Sequence, residues 1–251
     1  MPLRAFRLTG LLALSLSTGV LAYEAPVAWS VSRQMIVVTT EGWNADHGIL
    51  RTYVRDGTRW KAEGAATDVT IGKAGSAWGR GLSPAQTDGP QKREGDGRSP
   101  AGVFRIGTAF GYAETHPTAM PYRGLKASDY CVDVDGSPYY NQLVDEAKVG
   151  PNAVAGATEA MRRDLHFDGD RAYRIGFVIE HNAEGKKGAG SCIFAHLWKS
   201  PSSPTVGCTA MTDGAMERLL SWLDPSKKPV FVLLPKAEYA RLRDTWNLPA
   251  P

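Results

Sequence analysis

Short runs of alternating or β-branched residues recur along this chain, and they constrain its fold more than any other feature. Ile49, Arg51, Tyr53 and Arg55 fall on one parity, and Leu50, Thr52 and Val54 on the other. That two-residue period belongs to a strand with unlike faces. Asp56-Gly57 then gives a turn signal ahead of Arg59-Trp60-Lys61. Further short strands are predicted at 34–40, 68–71, 103–106, 175–180, 192–198 and 230–234. Helical spacing is rarer. Met216, Leu219, Leu220 and Leu223 keep the i, i+3, i+4, i+7 pattern behind Thr212 or Asp213, and Pro225 stops them. A charged helix is predicted over 237–246, and a third helix over 152–163. Many short strands with few helices predict a mainly β sandwich or barrel.

Apolar residues make up 43% and charged residues 22% of the 251, a balance that excludes a wholly disordered chain. Neither a repeat nor a Pro/Ser-rich linker divides the chain, so a single domain with long loops is expected. Residues 1–22 read as a signal peptide: Arg4 and Arg7 precede an apolar run from Leu8, and Val20-Leu21-Ala22 suits cleavage after Ala22. The run is short for a membrane span and contains Ser, Thr and Gly. Cleavage takes 22 residues and two arginines from a 251-residue chain of net charge +3, leaving 229 residues and +1. Export to the periplasm or cell envelope is therefore expected, with no transmembrane segment after cleavage. No basic run supports a nucleic-acid partner. Residues 23–34 form a lead-in.

The chemistry is concentrated in Cys192-Ile193-Phe194-Ala195-His196-Leu197-Trp198 and Thr205-Val206-Gly207-Cys208. His196 sits on an alternating apolar strand, and the chain returns at Cys208 through a loop holding Pro201 and Pro204. Strand, loop and return place imidazole and thiol at one end of a sheet. A thiolate is the nucleophile, and a neighbouring imidazole takes its proton and later protonates a leaving amine. Gly207 removes a side chain beside the nucleophile and lets a carbonyl approach backbone N–H groups. The helix after Thr212 would add a favourable field for negative charge at Cys208.

These motifs resemble the L,D-transpeptidase catalytic domain of the YkuD type, in which a His is followed by a loop and Ser/Thr-x-Gly-Cys. The stretch Gly95-Asp96-Gly97-Arg98-Ser99-Pro100-Ala101-Gly102-Val103-Phe104-Arg105-Ile106 is similar to that family's Gly-Asp-Gly-x-Thr-Pro-x-Gly-x-Phe-x-Ile pattern. The resemblance covers roughly 35–235, leaving 236–251 as a C-terminal helix and tail. It implies a β-sandwich-like domain on a curved mixed sheet, with Cys208 as nucleophile and His196 as general acid/base. It also implies a backbone carbonyl of Thr205 or Gly207 orienting the imidazole, and Tyr140, Asn141 and Trp198 along a substrate groove. The implied reaction is acyl transfer from peptidoglycan stem tetrapeptides, with no metal or organic cofactor. The acceptor would be an amine from a neighbouring stem, a lipoprotein lysine or a free D-amino acid. Water as acceptor would give an L,D-carboxypeptidase or amidase. The sequence departs from the family where Thr209-Ala210-Met211 replaces an Arg or Asn found just after the Cys in many members.

Three cysteines leave an odd thiol. Cys131 and Cys192 are candidates for a disulfide that keeps Cys208 free; a Cys192–Cys208 bond and two unpaired thiols are the alternatives. His181, after a predicted strand, is expected at the surface. Arg80, Lys92 and Arg98 read as solvated loop charges, with contact to an acidic peptide as the alternative. The glycine-rich stretches near Lys73 and Arg80 lack phosphate-loop order. A papain-like protease would carry its Cys ahead of its His, and zinc-ligand spacing is absent. The non-enzymatic alternative is an inactive wall-binding scaffold.

Overall fold

The computed structural model describes Met1 and residues 27–250. The expected signal peptide, beyond Met1, lies outside the described residues. From Gln34 the period-two pattern becomes hydrogen-bonded sheet. β1 (Gln34–Thr40) is almost wholly buried. β2 (His47–Asp56) and β3 (Arg59–Thr70) form a hairpin in which Asp56 pairs with Arg59. Gly57 in its turn has φ 59°, the left-handed conformation such a tight turn requires. β4 (Ser76–Trp78) precedes the long β5 (Ser99–Gly111) and β6 (Tyr122–Gly124). A small sheet then forms from β7 (Asp129–Cys131), β8 (Leu143–Asp145) and β9 (Glu159–Ala160), in the order β8-β7-β9, with α1 (Glu146–Val149) between the last two in sequence.

The helix expected over 152–163 is absent. Its place is taken by a 3-10 turn at Pro151–Ala153, then β9, then the start of α2 (Arg163–His166). Pro151 and the left-handed Gly156 interrupt any helix. Pairing of Glu159 with Cys131 draws the remainder into the small sheet. The chain continues through β10 (Ile175–Ile179), β11 (Phe194–Leu197), β12 (Thr209–Met211), α3 (Asp213–Trp222), β13 (Val230–Pro235) and α4 (Lys236–Leu242). β11 is shorter than expected because Cys192, at φ 54°, leaves the extended conformation.

The main sheet runs β10-β11-β12-β3-β2-β1-β13-β5-β4 and mixes parallel with antiparallel pairs. β5 changes partner along its length. Gly102–Arg105 pair with β13, while the stretch from Ile106 to Gly111 pairs with β10. The curved mixed sheet thereby closes on itself and leaves fewer open edges. β13 is buried throughout, because it lies between β1 and β5 and is covered by α4, whose Tyr239 and Leu242 are buried. Phe104, Phe177, Phe231, Met35 and Ile36 fill the interior, each worth about 1.5–3 kcal/mol of apolar burial. α3 follows its expected pattern: Thr212 Oγ1 accepts from Ala215 N–H at 3.2 Å, and Met216, Leu219 and Leu220 are buried. α4 stops at Leu242 rather than 246. Trp246 turns back onto Trp29, whose indole N–H donates to the Trp246 carbonyl at 3.0 Å, so the lead-in and tail pack together. Among the described residues no helix is long and apolar enough to cross a membrane.

Candidate active site

β11 and β12 are parallel neighbours, with Ala195 opposite Thr209 and His196 opposite Ala210. Cys208 precedes β12 by one residue. It shares parity with Ala210 and hence the face presented by His196, one diagonal step away. His196, Trp198, Thr205 and Cys208 line one cavity of about 330 Å³.

The turn before β12 is held by its own hydroxyls. Thr205 Oγ1 donates to the Cys208 carbonyl at 2.6 Å, and Ser99 Oγ donates to the same oxygen at 3.0 Å. The N–H of Gly207 donates to Thr205 Oγ1 at 3.1 Å. Gly207 N–H is thus committed to the turn. A Cβ at position 207 would stand 3.2 Å from the Arg98 carbonyl and 3.3 Å from Ile193 Cδ1, a crowding that glycine avoids. The Cys208 thiol receives the Phe194 N–H at 3.3 Å and donates to the Cys192 carbonyl at 3.5 Å. Burial pushes the thiol up to about 12, the Glu159 carboxylate adds to that shift, and the Phe194 N–H opposes it.

His196 is oriented by its own strand. Its Nδ1–H donates to the Leu197 carbonyl at 2.8 Å, which leaves the Nε2 lone pair as the basic face. Neither expected carbonyl performs this task, and that of Thr205 is occupied by the Lys73 N–H at 2.8 Å. Burial pushes the imidazole down to about 4. Thiol and imidazole are therefore both neutral at pH 7. The start of α3 does not line the cavity, because β12 intervenes between Cys208 and Thr212.

Cys131 and Cys192 form a disulfide across 61 residues, and Cys208 is free. Tyr140 and Asn141 support the loop that carries Cys192 and line neither cavity beside Cys208. Tyr140 Oη accepts from Gly190 N–H at 3.2 Å, and Asn141 Oδ1 accepts from Cys192 N–H at 2.8 Å. His181 is buried rather than exposed: Nε2–H donates to the Ala189 carbonyl at 2.9 Å, and Nδ1 accepts from Arg80 N–H at 3.2 Å. Lys92 is buried on Asp96 at 2.6 Å. Arg98 donates to the carbonyls of Trp43 and Ser76, both at 3.0 Å. Neither behaves as a solvated loop charge. Arg80 meets the exposed Glu184 at 3.0 Å.

The cavity also contains a cluster that motif reading misses. Tyr173 lies edge-on to the His196 ring at 5.2 Å, and its hydroxyl donates to Glu159 Oε1 at 2.7 Å. Arg163 donates to the same oxygen at 3.2 Å and to Asp170 at 2.9 Å. These residues come from β9, α2 and the approach to β10, and no local spacing links them to Cys208. A second cavity of about 270 Å³ lies on the other side of Cys208, lined by Lys73, Lys92, Glu94, Ser191 and Gly207 among others. Among the described residues no group of three His, Cys, Asp or Glu is placed to hold a metal ion.

Residues 36–232 match the family model described as L,D-transpeptidase catalytic domain, YkuD. No curated protein and no solved structure matches the chain.

Proposed function

Because the chain belongs to the L,D-transpeptidase (YkuD) family, whose domains act on peptidoglycan, we propose that Cys208 and His196 carry out acyl transfer on stem tetrapeptides. One observation carries the reading: a free thiol and an imidazole with its Nδ1 committed to a carbonyl share a single cavity. His196 Nε2 takes the thiol proton as Sγ attacks the carbonyl of the third stem residue. The C–N bond to D-alanine breaks, its amine leaves with the proton from His196, and a thioester remains on Cys208. An amine then attacks the thioester, passes a proton to His196 and restores the thiol. Thr205 and Gly207 fix the turn that presents Cys208, and Trp198 walls the cavity. The acceptor is the amine of a neighbouring stem, a lipoprotein lysine or a free D-amino acid. The substrate and the disulfide both fit the periplasm or cell envelope.

The test is incubation of purified peptidoglycan with the protein, followed by mass spectrometry of the muropeptides. Cross-linked or amine-exchanged products are expected, and Cys208→Ala should abolish them. Trimmed tetrapeptides alone would assign the same site to an L,D-carboxypeptidase, and released protein-linked fragments to an amidase. Undiminished products from Cys208→Ala would refute the reading. Unaltered peptidoglycan with no carbapenem adduct on Cys208 would favour an inactive wall-binding scaffold.

A further inference from the structure

Glu159 belongs to the wall shared by the two cavities beside Cys208; it, Val206 and Cys208 line both. Its carboxylate is only half engaged. Oε1 accepts from the Tyr173 hydroxyl and from Arg163, whereas no described residue donates to Oε2. Arg163 does not neutralise it fully, because the same guanidinium makes two further hydrogen bonds to Asp170, at 2.9 and 3.0 Å. The backbone of Glu159 is fixed across β7 from Cys131, which the disulfide ties to Cys192 beside the thiol. A carboxylate held through one oxygen, on a wall shared by two cavities that Cys208 also lines, is placed to receive a cationic donor at the other oxygen.

We propose that Glu159 Oε2 binds a primary ammonium group of the peptide that reacts at Cys208. The proposal deepens the acyl-transfer reading and rests on it only for placing a peptide in the cleft. The ammonium has two possible sources: the side chain of a diamino acid in the donor peptide, or the incoming amine of the acceptor. A carboxylate at the same point would be repelled. Occupancy has a second effect. Burial holds Glu159 above the ordinary carboxylate range, and its charge in turn raises the Cys208 thiol. A bound ammonium keeps Glu159 ionised while screening that charge from the sulfur, so the thiol becomes easier to ionise only when cationic substrate is present.

The donor source is tested by calorimetry in a Cys208→Ala background, which removes chemistry. The probes are L-Ala-D-Glu-L-Lys-D-Ala and the same peptide acetylated on the lysine amine. The acceptor source is tested with intact Cys208, acylated by the acetylated peptide and then challenged with lysine methyl ester or its Nε-acetyl counterpart, reading the concentration dependence of thioester decay. A roughly ten- to hundredfold preference for the free amine is expected in one arm, and Glu159→Gln should abolish it. The arm in which it appears identifies the source. Tyr173→Phe, which spares the carboxylate, should retain the preference. The proposal is overturned if neither arm shows a preference, if Glu159→Gln weakens both peptides equally, or if Tyr173→Phe loses the preference as Glu159→Gln does. Failure of the acyl-transfer reading looks different: intact-mass analysis finds no thioester, while the calorimetric arm still reports on Glu159.

Discussion

The thiol of Cys208 donates to the carbonyl oxygen of Cys192 at 3.5 Å, and Cys192 is tethered through its own sulfur to Cys131. The bridge therefore anchors a peptide group that touches the Cys208 thiol, and joins the small β7–β9 sheet to the segment leading into the strand that bears His196. Breaking it, by reductant or by Cys131→Ser, should lower stability by about 4 kcal/mol on the loop-entropy scale for such a span. Thermal unfolding with and without reductant measures this. Acyl-enzyme formation should fall with it, because the Cys192 carbonyl and the Phe194 N–H lose their anchor.

Alkylation of Cys208 by iodoacetamide should accelerate steadily from pH 7 to 10. The thiol is pushed up to about 12 and the imidazole down to about 4, so the free protein holds a neutral pair. A rate plateau reached near pH 6, the signature of a preformed thiolate–imidazolium pair, would contradict this.

Replacing His196 with Gln keeps a polar side chain but removes the base. Thioester formation should slow by about 10²- to 10⁴-fold, with little change in the substrate concentration for half-saturation. Stopped reactions followed by intact mass separate the two quantities. An unchanged rate would move the proton-transfer role to another group.

Acid should destabilise the fold in a definite window. His181 and His196 are both pushed down to about 4 by burial, while in the unfolded chain they titrate near the ordinary value of about 6.5. Between those values the unfolded state binds more protons, so stability is full above about 6.5 and is lost as pH falls toward 4. Each histidine contributes up to about 3 kcal/mol of that loss. Melting temperatures from pH 7.5 to 4.5 should show the decline, and His181→Gln should flatten it.

Much of this molecule is legible in its sequence, and the gaps have physical causes. The hairpin at Gly57 and helix α3 follow local rules of turn, cap and apolar spacing, so short windows reveal them. The closeness of Cys208 and His196 is also readable, because thiol and imidazole sit at either end of one short loop between neighbouring parallel strands. Glu159 is not. It reaches the cleft through cross-strand pairing with Cys131, a long-range event that also overrode the helical look of its segment. His181 was hidden for a related reason. A histidine after a strand resembles a surface residue until Ala189 and Arg80 close over it and satisfy both ring nitrogens.

The position of β13 bears on how the molecule comes into being. Met35 pairs with Val230 and Val103 with Val232, so the ring of strands closes only through a segment that follows all its other strands in sequence. Contacts of such large sequence separation pay their loop-closure entropy before any stabilisation returns, and folding slows accordingly. A nascent chain that already holds Cys208 and His196 still exposes open edges on β1 and β5 until Val230–Pro235 arrives. The thiol is thus made before the ring that shapes its cleft can close, and a chain ending short of residue 230 would carry Cys208 without the closed sheet behind it.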